Sequence, residues 1–174
     1  EGQTLKQYLA ARPEMANERW LRSILGPVLD ALEHMHAQQC YHRDIAPDNI
    51  LVLKTGNPIL LDLGAARRVI GDMTQALTVI LKPGYAPIEQ YADDPSVRQG
   101  PWTDVYALAA VAYFAIMGKA PTPAVSRMMR DPLKPITEAA SNSGFSAQFL
   151  AAIDRALAVR PEDRPRSVEE FRTD

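Results

Sequence analysis

Tyr41-His42-Arg43-Asp44-Ile45-Ala46-Pro47-Asp48-Asn49-Ile50-Leu51-Val52, with Asp62-Leu63-Gly64 downstream, is the stretch whose reading decides the fold. The apolar runs Ile50 to Val52 and Pro58 to Leu61 flank Thr55-Gly56-Asn57, and the spacing predicts a hairpin that returns Asp62 towards Asn49. Two carboxylates, Asp44 and Asp62, and the amide of Asn49 are thereby expected at one place. One acid can act as a base while the other acid and the amide hold a cation. Read singly, Asn49 and Asp62 are also ordinary turn residues, and Asp44 a loop cap.

The rest of the 174 residues reads as one domain that is mainly helical. Thr4 is placed to cap a short helix that ends before Pro13. From about Glu14 to Ala37 an apolar stripe through Met15, Trp20, Leu21, Ile24, Leu25, Val28, Leu32 and Met35 predicts a long helix, with a kink expected at Gly26-Pro27. Gly64 to Gln90 carries no sustained period, and its length points to a functional loop ending in the turn-formers Lys82-Pro83-Gly84-Tyr85-Ala86-Pro87. Trp102 to Met117 is almost wholly apolar, as befits a central helix, and its early Asp104 needs buried hydrogen-bond donors. Ala124 to Arg130 predicts a short helix and Asp131 to Gly144 a loop. Ser146 and Ser167 are read as caps of two further helices, the last of them cut short.

Composition narrows the partners. A hydrophobic share of 47% is enough for a sizeable core. A net charge of -2 and a pI near 5.9 give no footprint for nucleic acid, which is not expected as a partner. The lone Cys40 suits a reducing compartment and reads as a buried small hydrophobe, so a cytoplasmic location is expected. No apolar run is long enough for a membrane helix, so membrane contact is not expected within the segment and any tether would lie outside it. The start at Glu1, without methionine, is read as the start of a fragment.

The series His42-Arg43-Asp44, Asn49, Asp62-Leu63-Gly64, Ala86-Pro87-Ile88-Glu89, Asp104 and Arg164 resembles, in order, the landmarks of the large C-terminal lobe of protein kinases. The resemblance covers essentially the whole chain. It implies a kinase-like C-terminal lobe over residues 1–174, a helical bundle whose small hairpin carries the catalytic and metal-binding loops. It implies Asp44 as catalytic base, with Asn49 beside it, and Asn49 and Asp62 as ligands of magnesium held against the phosphates of ATP. Leu51 corresponds to the apolar residue beneath the adenine ring, with a core leucine as the plain alternative. His42, Arg43, Glu89, Asp104 and Arg164 correspond to supports: an imidazole under the catalytic loop, the aspartate that binds that loop's backbone, and a buried ion pair between Glu89 and Arg164. Arg43 also corresponds to an arginine that can grip a phosphorylated threonine, for which Thr74 and Thr78 are the candidates; carbonyls or a carboxylate are its other possible partners.

The chain departs from the family pattern in three respects. Leu63 replaces a phenylalanine, an apolar exchange. Ala46 stands where serine/threonine kinases carry a lysine, and Lys82-Pro83-Gly84-Tyr85 lacks the threonine that this lysine meets, so both members of that contact are expected to be absent. The glycine-rich loop, the strand lysine and their partner glutamate of the small lobe have no counterpart in these residues.

Pro47 and the run Gly84 to Gln90 favour a bacterial serine/threonine kinase over a tyrosine kinase. The implied function is transfer of the ATP γ-phosphate to a protein hydroxyl by a parent containing the missing lobe in cis. A scaffold that keeps the fold without catalysis, and a small-molecule phosphotransferase, are the competing readings. A phosphate on Thr74 or Thr78 is expected in active full-length protein; intact-mass measurement with peptide mapping checks this, and full activity without either modification excludes it.

Overall fold

The computed structural model describes residues 1–61, 67–68, 81–92 and 96–174, the side chains of 67 and 68 excepted. Helix dominates. Strand β1 (Gly2–Thr4) leads into α1 (Leu5–Ala11), followed by α2 (Glu18–Ala37), β2 (Cys40–Tyr41), β3 (Ile50–Leu53), β4 (Pro58–Leu60) and β5 (Arg67–Arg68). The chain continues through α3 (Pro101–Met117), α4 (Ala124–Arg127), α5 (Ile136–Ala139), α6 (Ala147–Ala156) and α7 (Val168–Thr173).

Local chemistry explains most of the ends. Thr4 and Gln7 form a reciprocal cap, each side chain bonding the other's backbone N–H, so α1 starts where its first free amides find acceptors. Asn17 accepts from Trp20 N at 3.0 Å, and Pro13–Met15 forms a separate single turn. Helix α2 therefore begins later than its apolar stripe suggests. It runs unbroken through Pro27, whose exposed position puts the missing hydrogen bond on the solvent side. Gly118 ends α3 in a left-handed conformation, φ 70°, with its N–H on the Phe114 carbonyl.

The strands differ from the expected lone hairpin. β3 and β4 pair antiparallel, Ile50 opposite Leu60 and Val52 opposite Pro58, but β1 adds to the other edge of β3, Gly2 opposite Leu53 and Thr4 opposite Leu51. A second small sheet joins β2 to β5, Cys40 opposite Arg68 and Tyr41 opposite Arg67. Neither β1 nor β5 has an alternating pattern long enough to be read from sequence. Cys40 is half-buried in β2, not a core residue. Helix α5, inside the expected loop, is capped across space: Asp154 of α6 accepts from Ile136 N at 2.6 Å and Thr137 N at 3.1 Å. Such a cap comes from a distant element, so local sequence does not announce it.

The core forms around α3, which packs against α2, α6 and α7. Val105, Tyr106, Leu108, Ala109, Ala110, Val111 and Ala112 are wholly enclosed, on every side of the helix. Leu21, Ile24, Val28 and Leu32 of α2 and Leu150 and Ile153 of α6 supply the facing surfaces. Burial of this apolar area is the main favourable term in folding. Small alanines on α3 let neighbouring helices approach closely.

A buried ion pair is carried into this core. Arg164 Nη1 donates to Glu89 Oε1 at 2.8 Å, and both side chains are completely buried. Arg164 also donates to the carbonyls of Ala158 and Val159, each at 2.7 Å, and lies over the Tyr106 ring. Thr103 Oγ1 donates to the same Glu89 oxygen at 2.9 Å. The pair therefore ties the segment around residue 89 to the loop between α6 and α7. Removing one partner strands the other charge. Arg164→Ala is expected to cost about 3–5 kcal/mol, whereas a Glu89→Leu/Arg164→Met double variant should recover much of that loss, as read from urea denaturation of all three proteins.

Candidate active site

The loop 42–49 is held from below by Asp104, in the first turn of α3 and fully buried. Its Oδ2 accepts from His42 N at 2.9 Å and its Oδ1 from Arg43 N at 2.8 Å. His36, in the last turn of α2, lies with Nε2 2.8 Å from Oδ2, and since a carboxylate only accepts, that nitrogen donates. Three donors thus satisfy one buried acid, as α3's sequence requires. The two backbone bonds to one carboxylate draw consecutive amides together, and Arg43 takes a left-handed conformation, φ 66°, costly for a residue with a side chain. Gln90 Nε2 holds the far side of this bend through the Arg43 carbonyl at 2.8 Å.

His42 is buried and bridges two segments. Its Nδ1 accepts from Asp44 N at 3.3 Å, which assigns the ring proton to Nε2, and Nε2 donates to the Leu61 carbonyl at 3.0 Å. The imidazole is thus spent on loop geometry. It has no nitrogen left for proton transfer. Leu61 immediately precedes Asp62 in sequence, so this bond fixes the backbone up to the last described residue before it.

Asp44 itself is partly exposed, its side chain accessible at 23%. Asn49 Nδ2 donates to the Asp44 carbonyl at 2.7 Å and to Asp44 Oδ2 at 2.8 Å, so the two residues form one unit. Both amide protons of Asn49 are used there, which leaves its Oδ1 as an available oxygen donor. Asn49 also closes the short 47–49 turn, and its carbonyl accepts from Leu61 N at 2.8 Å, bringing the end of β4 beside it. Leu51 is half-buried and faces the side of β3 opposite the enclosed Ile50 and Val52.

The structure also puts a cation here. Lys82 Nζ lies 3.0 Å from Asp44 Oδ1 and 3.1 Å from Oδ2. Position 46 is a buried, neutral alanine, and residue 82 supplies a charge to Asp44 from the other side, a contact that the sequence reading did not anticipate. In the adjoining turn, burial and then the charge of Asp48 push the Tyr85 hydroxyl up to about 12, so it stays neutral.

Of the residues singled out by motif, His42, Arg43, Asp44, Asn49 and Asp104 form one cluster, and Glu89 with Arg164 forms the buried pair beneath the adjoining segment. Leu51 stands apart on the sheet. Asp62, Thr74 and Thr78 lie outside the described residues. His36 and Lys82 belong to the cluster although no motif marks them. A lysine as the sole cation in the turn 82–87 was the one available signal. A separate cavity of about 210 Å³, lined by Leu25, Leu29, Phe149 and Ile153 between α2, α6 and α7, shares no residue with this cluster.

Comparison with known proteins agrees with this arrangement. The family described as protein kinase domain matches residues 1–173. The serine/threonine-protein kinase PknA of Nostoc is 33% identical over 94% of this chain and 29% of its own length. PknB of Mycobacterium tuberculosis is 29% identical over 100% of this chain and 28% of its own, and Pkn1 of Myxococcus xanthus 36% over 86% and 23%. A solved structure of PpkA-294 in its apo form superposes with a TM-score of 0.85 at 43% identity, covering 99% of this chain and 59% of that one. The chain thus spans under a third of these curated relatives. With the family match running from end to end and the helical fold shared with a solved relative, the chain belongs to the protein kinase family.

Proposed function

We propose that this chain is the large, C-terminal lobe of an ATP-dependent kinase that phosphorylates serine or threonine hydroxyls of a protein substrate. The observation that carries the reading is an accessible carboxylate on an immobilised loop: Asp44 faces solvent in part, while Asp104, His42 and Asn49 fix the backbone on both sides of it. A base needs that combination. Its oxygen must be reachable by the substrate and must keep its place during the reaction.

The donor set suits ATP and magnesium. Asn49 Oδ1, left over once Nδ2 has bonded Asp44, is a hard oxygen of the kind magnesium selects, and Asp62 follows the Leu61 amide that β4 brings to the Asn49 carbonyl. Bound magnesium would neutralise phosphate charge there. The outward face of Leu51 offers an apolar surface for the adenine ring. In the proposed reaction the substrate hydroxyl oxygen bonds to the γ-phosphorus as the bond to the β–γ bridging oxygen breaks. ADP leaves, and the hydroxyl proton passes to Asp44.

The reading includes a small lobe in the same polypeptide and a cytoplasmic setting. Phosphoryl transfer relies on positioning from both sides of the triphosphate, and the 174 residues contain no glycine-rich loop to close over it. Among the described residues no helix is long and apolar enough to cross a membrane.

The test is magnesium-dependent transfer from labelled ATP to a protein acceptor by the full-length parent. Asp44→Asn should lower the rate by about 10²–10⁴-fold with thermal unfolding unchanged, and the 174-residue segment alone should transfer negligible phosphate. A wild-type rate in the Asp44 variant would remove the assignment. A folded parent with no transfer at all would favour a scaffold.

A further inference from the structure

The cation facing Asp44 comes from an unexpected segment. Ala46, on the catalytic loop itself, has no charge and is fully enclosed. Lys82 approaches from across the cleft and sits almost symmetrically over the carboxylate, 3.0 Å from Oδ1 and 3.1 Å from Oδ2. Both side chains are partly exposed, at 33% and 23%, and a pair so open to water adds little to folding. Stability alone is a weak reason for this contact.

The backbone beneath Lys82 is nevertheless tightly held. Tyr85 N and Ala86 N both donate to the Lys82 carbonyl, at 3.0 and 3.1 Å. Gly84 has φ 88°, and a Cβ at that position would lie 2.8 Å from the Pro121 carbonyl oxygen, so only glycine lets the turn press against the segment after α3. Gln90, a little further on, bonds the Arg43 carbonyl. The lysine is thus presented by a turn with little freedom to move. It is aimed at the partly exposed Asp44.

We propose that Lys82 is a catalytic residue that binds the γ-phosphate during transfer, so that the cation at the reacting centre is supplied by the 82–90 segment and not by the catalytic loop. This rests on the kinase reading above. A hydroxyl poised on Asp44 must have the γ-phosphorus next to it, and an ammonium group touching both Asp44 oxygens is within reach of that phosphoryl group's oxygens. As the oxygen–phosphorus bond forms, the β–γ bridge breaks and the proton goes to Asp44, Lys82 keeps its own proton and offsets charge on the transferred group. Because the charge resides on the second segment, the site is electrostatically complete only when residues 82–90 are docked on the loop.

Nucleotide binding separates this role from mere orientation of Asp44. In full-length parent, calorimetric titration with Mg·ADP and with the non-hydrolysable Mg·AMP-PNP should give a γ-phosphate preference. Lys82→Met should leave Mg·ADP affinity unchanged while weakening Mg·AMP-PNP by about tenfold, and should lower kcat by about 10²–10³-fold. Lys82→Gln, polar and similar in length, repeats the measurement should methionine disturb the turn. Equal effects on both nucleotides, or none, in a variant whose melting is unchanged would overturn the proposal, as would absence of any nucleotide binding. A parent that shows the Lys82-dependent preference yet transfers no phosphate would reject the kinase reading while upholding the γ-phosphate contact.

Discussion

The site depends on one buried carboxylate. Asp104 lies at the start of a helix that is otherwise apolar on all sides, where an ionised group without partners would be strongly unfavourable. It is tolerated because it receives His36 Nε2 and the amides of His42 and Arg43. The same three bonds determine the path of the loop. They join the end of α2, the start of α3 and the residues leading to Asp44, so a fully buried part of the core sets the position of a partly exposed acid. The left-handed Arg43 is local strain held in place by that anchor.

A second anchor works at longer range. Glu89 and Arg164 are distant in sequence and wholly enclosed, with Arg164 completing its hydrogen bonds on two carbonyls and Glu89 receiving Thr103. One Glu89 oxygen, Oε2, finds no partner among the described residues. A buried pair with a residual unmet acceptor is a poor source of net stability. Its value is geometric: it secures the segment that carries Lys82 and Gln90 to the loop after α6. Thus the two halves of the acidic site are anchored independently, the 42–49 loop by Asp104 and the facing turn by Glu89.

Much of the fold could be read from sequence because its determinants are local. The α3 apolar run, the caps at Thr4, Ser146 and Ser167, and the stop at Gly118 all lie where simple periodicity and capping rules put them. The elements that escaped are those fixed by distant partners: β1 by pairing with β3, β5 by pairing with β2, and α5 by Asp154. The same division runs through the site. Asp44, Asn49 and His42 stand in one short loop and announce themselves, and the need of Asp104 for donors follows from its apolar neighbours. His36 and Lys82 reach the cluster only through folding, from the end of one helix and from a turn after a long segment, and no spacing in the chain connects them to Asp44.

The relation between Ala46 and Lys82 has a general physical reason. A reacting phosphoryl group is sensitive to where positive charge is located, not to which stretch of backbone delivers it. Lysine has a long, flexible stem, so a backbone position across the cleft from Asp44 can still bring an ammonium group to its carboxylate. The two sides of the cleft differ in what must be ordered first. A lysine on the 42–49 loop would be held through Asp104 whatever the facing segment did. One at position 82 depends on the turn braced by Gly84 against Pro121 and on the segment secured by Glu89. On the proposed reading, placing the charge at position 82 couples the electrostatics at Asp44 to the docking of residues 82–90, and that coupling is a property of the folded chain that neither segment contains alone.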